Sequence, residues 1–271
     1  MCTMRRCLVA ALFAALTAAS TLPYRAEGAG VFTCTQVIGF SQTQEWYAGD
    51  PTFESAVDDA RWQLLYNFGA GINQWADPGY SGWSQGIVSP CSAGSSAPDR
   101  IVLNISGESR TPSEWATAIE AAISTVYAKY PALQRIVLQP VVGGPNNQLC
   151  PDGGGGYIRA SVNNIAIDEA IPMVVGGQTV AGPSPEVMSC TDYVDSVGHL
   201  SVGSRPAIGA AIASFYEGKT VGGFAKLPAA DAPTSADDGT FLFFAVALAG
   251  LSIAAVTLSA LKRAASAYRG R

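Results

Sequence analysis

Short apolar runs alternate with segments of helical periodicity along most of the chain. Short runs rich in apolar and β-branched residues at 35–39, 100–105 and 135–142 are typical of buried strands. The run at residues 61–68 fits either a strand or the end of a helix that begins near residue 54. Residues 173–175 predict one further short strand.

Helical periodicity is clearest in the segment that follows Thr111. Thr111 is a good N-cap, Pro112 suits the first helical position, and the helix is expected to end before Pro131. Two further helices are predicted over residues 158–171 and 206–216. This alternation predicts an α/β fold, a doubly wound parallel sheet with helices on both faces, in which ligands bind beyond the carboxyl ends of the strands.

The two hydrophobic ends of the chain predict different roles. Residues 1–30 combine a basic start, a short apolar core and small residues, which is the pattern of a signal peptide. An uncleaved N-terminal anchor is the alternative. Residues 240–261 carry no charge and are long enough to span a bilayer as a transmembrane helix, although a buried core helix is the alternative. Basic residues follow at 262–271, so the positive-inside rule predicts a cytoplasmic tail and an exported, membrane-anchored domain outside.

Residues 31–226 remain as one folded domain, and residues 227–239, rich in Ala, Pro, Asp and Ser, are expected to form a linker. The net charge of −5 and the lack of a basic patch argue against a nucleic-acid partner. An even number of domain cysteines in an exported protein predicts two disulfides, with three pairings open. These cysteines are Cys34, Cys91, Cys150 and Cys190. With one histidine and no CxxC pair, we expect no metal site and no cofactor.

The candidate chemistry starts from His199, the one histidine of the chain. Asp195 lies four residues before it and Asp192 seven before it, and an aspartate beside a histidine can orient its ring during nucleophilic catalysis. Both aspartates also suit a solvated turn, and a lone histidine is more often structural. Ser41 follows the predicted strand 35–39 on a tight turn, where a nucleophilic hydroxyl would be exposed at the edge of the sheet.

Two glycine-containing turns follow the next strand candidates, at residues 67–71 and 105–109. Their glycines would let a backbone N–H approach a ligand closely, and such donors stabilise an oxyanion. Ordinary turns are the alternative for each. Aromatic loop segments around Trp46, Trp75 and Trp83 would either stack on sugar rings or pack beneath long loops.

Four segments, taken in chain order, resemble the sequence blocks of the SGNH/GDSL family of serine esterases. They are GFSQT at residues 39–43, NFGAG at 67–71, SGES at 106–109 and DSVGHLS at 195–201. The resemblance covers most of residues 35–216 and implies the SGNH/flavodoxin-like three-layer form of the α/β fold. It also implies ester or thioester substrates with small acyl groups, often on carbohydrates or lipids. Outside the membrane, an O-acylated surface glycan is the natural expectation.

The resemblance also implies a role for each matching residue. Ser41 would be the nucleophile, His199 the general base, and Asp195 the group that orients His199. The backbone N–H of Gly71 and the side chain of Ser109 would hold the oxyanion, together with the N–H of Ser41.

The sequence departs from the family pattern at three positions. Phe40 stands in place of the Asp of the GDS block, and Asp195 is one residue further from His199 than usual. Ser109 stands in place of the oxyanion Asn, which Asn73 would have to compensate, and loss of one oxyanion donor lowers turnover by ~10²–10³. The sequence therefore predicts a cell-surface serine ester hydrolase. The alternative is a catalytically weak or inactive SGNH-fold protein that binds glycans or has a structural role.

Overall fold

The computed structural model describes residues 32–218. The predicted signal peptide, linker, membrane helix and basic tail lie outside these residues. Within residues 32–218, no helix combines the length and the apolar character that crossing a bilayer requires.

In this described part of the chain, five parallel strands form one sheet in the order β2-β1-β3-β4-β5. The strands are β1 (Thr35–Gly39), β2 (Trp62–Tyr66), β3 (Arg100–Ile105), β4 (Arg135–Pro140) and β5 (Thr179–Ala181). Val37 of β1 pairs with Leu64 on one side and with Val102 on the other, which fixes the register at the centre of the sheet. Every residue of β1 and β3 is buried, which explains why apolar residues stand side by side in these strands and do not alternate with exposed polar ones.

Within residues 32–218, six α-helices flank the sheet in two packed groups. They are α1 (Ser41–Tyr47), α2 (Thr52–Ala56), α3 (Ile72–Ala76), α4 (Pro112–Lys129), α5 (Arg159–Val174) and α6 (Arg205–Glu217). Helices α1, α2 and α6 contact one another, whereas α4 packs between α3 and α5. The chain moves from β1 to β2 in one direction and from β3 to β5 in the other, and right-handed crossovers then place the two groups on opposite faces. The predicted α/β fold with a parallel sheet is confirmed.

Local signals in the sequence account for most of the element boundaries. Thr111 caps α4 as predicted, because its hydroxyl accepts from the Glu114 N–H while the Glu114 carboxylate accepts from the Thr111 N–H. The ambiguous run at residues 61–68 contains strand β2. The strand predicted at residues 173–175 is wrong: Met173 lies in the last turn of α5, and β5 begins only after a turn.

Two disulfides join the four domain cysteines, as predicted. Cys34, just before β1, is bonded to Cys91, and Cys150, after β4, is bonded to Cys190. The second bond ties the loop that follows β4 to the segment that leads to His199. The structure thus resolves a pairing that the sequence leaves open.

Candidate active site

The ends of four neighbouring strands meet at a small cleft of about 100 Å³. Ser41 follows β1, residues 69–71 follow β2, residues 106–108 follow β3, and Val141 follows β4, and all of them line the cleft. Because all strands are parallel, their carboxyl ends lie at one edge of the sheet, where α/β proteins bind ligands.

Ser41, His199 and Asp195 form a chain of two hydrogen bonds in this cleft. The Oγ of Ser41 lies 2.8 Å from Nε2 of His199, and Nδ1 of His199 lies 2.5 Å from Oδ2 of Asp195. Ser41 is buried, whereas the side chains of His199 and Asp195 are 32% and 40% exposed. Asp192, the other aspartate near the histidine in sequence, instead accepts backbone N–H groups at the start of a short 3₁₀ turn.

The charge of Asp195 sets the direction of the two hydrogen bonds. Burial acts to raise the pKa of Asp195, but hydrogen bonds from the His199 side chain and from the N–H groups of His199 and Gly198 lower it to about 2. An ionised carboxylate only accepts hydrogen bonds, so Nδ1 of His199 carries the ring proton. Nε2 is then the acceptor for the hydroxyl of Ser41, which is the orientation that a general base needs.

The loop around Gly198 explains how Asp195 reaches His199 across four positions. Oδ1 of Asp195 accepts three successive N–H groups, from Val197, Gly198 and His199, at 2.8–3.1 Å. Gly198 has φ +106°, and a Cβ at this position would lie 2.3 Å from the Cβ of Ala160. The chain can therefore fold this tightly only with glycine at position 198. The turn accommodates the one additional residue that lies between Asp195 and His199.

Ser41 is presented by a tight turn between β1 and α1. A Cβ on Gly39 would lie 2.0 Å from Oγ1 of Thr43, so glycine is required for the turn to close. Oγ1 of Thr43 accepts from the N–H of Phe40 and donates to Oδ1 of the buried Asn104 at 2.5 Å. These bonds anchor the turn to β3 and leave Ser41 as the first residue of α1.

Helix α1 also holds the backbone on both sides of His199. The buried Gln42 donates from Nε2 to the carbonyl of Gly198 at 2.7 Å, and Oε2 of Glu45 accepts from the N–H of Leu200 at 2.8 Å. Burial raises the pKa of Glu45, although the Leu200 N–H opposes the shift. No motif in the sequence indicates Gln42 or Glu45. Both residues lie within four positions of Ser41, so a prediction of the short helix α1 would have indicated them.

The oxyanion donors that the structure provides differ from those that the sequence predicts. The N–H of Ser41 makes no hydrogen bond within residues 32–218, as is usual for the first N–H of a helix. The N–H of Gly71 donates to Oε1 of Gln74 at 2.9 Å. Ser109 is exposed and does not line the cleft, and Asn73 is exposed outside it, so neither takes the place of the oxyanion Asn.

Asn163 and an ion pair complete the wall of the cleft opposite Ser41. Asn163 is 2% exposed and donates from Nδ2 to the carbonyl of Gly107 at 2.8 Å. At the rim, the guanidinium of Arg159 lies 2.8 Å from the carboxylate of Glu108. None of these residues was singled out from the sequence, because Asn and Arg within a helix carry no pattern that marks a cleft.

The structure places the three predicted sugar-stacking tryptophans away from the cleft. Trp46 and Trp75 are at most 1% exposed, so neither ring has a face free for a ligand. Trp83 is half-buried, packs edge-on against Trp75 at 5.0 Å and donates from Nε1 to the carbonyl of Asp77. The expectation of stacking is wrong for Trp46 and Trp75, and the packing alternative describes all three.

The arrangement has the parts that acyl transfer to a serine requires. The hydroxyl of Ser41 can lose its proton to Nε2 of His199, and Asp195 fixes the ring. The N–H of Ser41, which has no hydrogen-bond partner within residues 32–218, is available as an oxyanion donor. The cleft beside Ser41 leaves room for a small acyl group. In comparisons with known proteins, no family model matches the chain and no curated protein has a matching sequence.

Proposed function

We propose that this protein is a cell-surface serine ester hydrolase of the SGNH/GDSL type. The observation that carries the proposal is the hydrogen-bonded chain from Ser41 through His199 to Asp195, at the carboxyl ends of parallel strands. The strand order 2-1-3-4-5 is that of flavodoxin-like sheets, which supports the SGNH/flavodoxin-like form of the fold.

In the first half of the reaction, Oγ of Ser41 attacks the carbonyl carbon of the ester while its proton passes to Nε2 of His199. The tetrahedral intermediate carries its negative charge on the former carbonyl oxygen, which the N–H of Ser41 stabilises. The N–H of Gly71 adds a second donor only when Gln74 releases it. Collapse of the intermediate breaks the bond to the alcohol oxygen. That oxygen takes the proton from His199, and the alcohol leaves an acylated Ser41 behind.

In the second half, water takes the place of the alcohol. His199 removes a proton from the water as it attacks the acyl carbon, and returns it to Oγ of Ser41 when the second intermediate collapses. The carboxylic acid leaves and the enzyme is regenerated. Asp195 remains ionised throughout and stabilises the imidazolium, which its pKa of about 2 supports.

The size of the cleft supports a small acyl group. A volume of about 100 Å³ lies well below the 300–1,000 Å³ typical of sites that enclose drug-sized ligands. An acetyl group or an acyl group of similar size fits this space.

The proposed location is outside the cell, with one C-terminal membrane helix and a cytoplasmic tail. The two disulfides support export, because such bonds form and persist in oxidising compartments. The signal peptide at residues 1–30 and the span at residues 240–261 remain predictions from the sequence.

Hydrolysis of p-nitrophenyl acetate by the full chain, purified in mild detergent with oxidised cysteines, tests the proposal. We expect Ser41→Ala and His199→Ala each to lower kcat/KM by roughly 10³-fold or more. Ser113→Ala, an exposed serine in the first turn of α4, is the matched control and should match the wild type. Equal activity in Ser41→Ala and the wild type would refute the mechanism.

A weak or inactive glycan-binding protein of the same fold is the second candidate, and the oxyanion site favours it. Ser109 lies off the cleft, and the N–H of Gly71 is occupied by Gln74. Absence of Ser41-dependent hydrolysis in a folded protein would support this candidate.

A further inference from the structure

Gln74 blocks a backbone donor that the proposed reaction can use. Its Oε1 accepts from the N–H of Gly71 at 2.9 Å. A Cβ on Gly71 would lie 3.2 Å from the same oxygen, so Oε1 lies directly beside the Gly71 backbone. The N–H of Ser41 has no partner within residues 32–218, whereas that of Gly71 is occupied. The resting site therefore offers one oxyanion donor and holds a second one back.

Little else holds the Gln74 side chain in this position. The side chain is exposed, and the bond to Gly71 is its one hydrogen bond in the described part of the chain. This bond also caps α3, but that helix packs through Ile72 and Trp75, which are each 1% exposed. One net hydrogen bond favours a position by roughly two- to tenfold. A single replacement partner for Oε1 is therefore sufficient to release the Gly71 N–H.

Gln74 faces a second cleft, of about 310 Å³, that adjoins the cleft at Ser41. Gly71 lines both clefts, whereas Gln74 lines the second alone. Gly69 and Gly107 also line both, so no side chain rises between the clefts at these three positions. With the acyl group beside Ser41, the alcohol part of the ester extends over these glycines toward Gln74. The alcohol is thus the part of the substrate that meets the blocking side chain.

The chemistry of the alcohol decides whether Gln74 moves. An alcohol part without a further N–H or O–H offers Oε1 no donor, so Oε1 keeps its bond to Gly71. A further N–H or O–H in the second cleft gives Oε1 a new partner, and Gln74 can turn toward it. The Gly71 N–H then bonds to the oxyanion, so Oε1 and the N–H both keep a partner.

We propose that Gln74 determines specificity for the alcohol: a hydrogen-bond donor on the alcohol part draws Oε1 away from Gly71 and completes the oxyanion site. The proposal rests on the proposed function. Because the alcohol leaves with the first intermediate, the effect is confined to the acylation of Ser41. The nitro group of p-nitrophenyl acetate carries no donor, so this ester is hydrolysed with the site incomplete.

Pairs of acetate esters that differ in one donor test the proposal on the full chain in mild detergent. 4-(Hydroxymethyl)phenyl acetate carries an O–H that 4-(methoxymethyl)phenyl acetate lacks, and the 3-isomers place the same groups differently. The quantity to measure is kcat/KM, which covers the steps up to release of the alcohol. In the wild type we expect the hydroxymethyl ester of at least one pair to exceed its partner by roughly two- to tenfold, the equivalent of one net hydrogen bond.

Gln74→Met leaves the Gly71 N–H free whichever ester is bound. The preference should therefore vanish by a gain: kcat/KM of the methoxymethyl ester rises to the wild-type value of the hydroxymethyl ester. Gln74→Ala should give the same result, and thermal unfolding shows whether each variant is folded. Gln85→Met is the matched control, because Gln85 is exposed and lines neither cleft. It should keep the preference of the wild type.

Three results would overturn the proposal. The first is equal kcat/KM within both ester pairs in the wild type, and the second is a preference that persists in folded Gln74→Met. The third is a preference lost because the hydroxymethyl ester falls to the level of its partner, which would show that Gln74 only binds the hydroxyl. In each case, hydrolysis of the methoxymethyl esters that is lost in Ser41→Ala leaves the proposed function standing. Absence of Ser41-dependent hydrolysis of all four esters refutes the proposed function, and the role of Gln74 with it.

Discussion

Replacement of Gln42 by methionine tests how α1 positions His199. Gln42 is 2% exposed and bridges two backbone groups: it donates to the carbonyl of Gly198 at 2.7 Å and accepts from the N–H of Val142 at 2.8 Å. Methionine has a similar length but makes neither bond. The substitution therefore leaves one buried carbonyl and one buried N–H without their partners.

The loss of stability can be worked out from these two groups. Each buried polar group left without a partner costs about 1–3 kcal/mol, so Gln42→Met should lower the free energy of unfolding by about 2–6 kcal/mol. A loss of 1 kcal/mol shifts Tm by about 2–4 °C in a domain of this size, so a fall of at least about 4 °C is expected. Release of the Gly198 carbonyl also frees the residue next to His199, and a shift of about 1 Å in a catalytic group can cost ~10²-fold in rate.

Thermal unfolding and p-nitrophenyl acetate hydrolysis measure the two effects. Gln44→Met is the matched control, because Gln44 lies on the same helix, is partly exposed and makes no side-chain hydrogen bond within residues 32–218. We expect the control to retain the Tm and the kcat/KM of the wild type. If Gln42→Met behaves like the control in both assays, the reasoning about the bridge is wrong.

Three further predictions concern other parts of the domain. Gln74→Met frees the Gly71 N–H, so kcat for p-nitrophenyl acetate should rise by roughly two- to tenfold, the equivalent of one net hydrogen bond; an unchanged kcat would show that this N–H is not an oxyanion donor. Loss of the Cys150–Cys190 disulfide, whose loop spans 40 residues, should lower the free energy of unfolding by about 4 kcal/mol, as measured by denaturant titration of the double serine variant. Burial raises the pKa of Asp168 to about 6, so the folded chain retains a proton that the unfolded chain releases above pH ~4. The wild type should lose up to about 3 kcal/mol as pH rises from ~4 to ~6, and equal losses in Asp168→Asn, measured by thermal unfolding, would contradict this origin.

The central sheet could be predicted from the sequence because its strands are buried on both faces. The predicted bounds of β1 and β3 are those of the structure, since short runs rich in apolar and β-branched residues and followed by turn residues are typical of buried strands. The sequence does not show where α5 ends and where β5 begins. Residues 173–175 are apolar and short, and periodicity does not distinguish a helix end from a strand over three residues.

Chain order predicts that Ser41, Asp195 and His199 lie together, and the structure brings them together. The other residues that line the cleft could not be predicted in this way. Ser109 was selected by its place in a motif, but only the three-dimensional turn decides which residue after β3 enters the cleft. Turn residues around the tryptophans predict loops, yet Trp46 and Trp75 lie in short helices with their rings buried. Gln42 was missed because a helix of seven residues leaves no clear period in a sequence.

Mass spectrometry of the full chain after treatment with a fluorophosphonate shows whether His199 activates Ser41, because this reagent modifies a serine only when a neighbouring base activates it. We expect one adduct, on the peptide that contains Ser41, and its loss in His199→Ala. An unmodified Ser41 in the folded wild type, or labelling of Ser41 that persists at the same rate in His199→Ala, would show that the three residues do not form a catalytic triad.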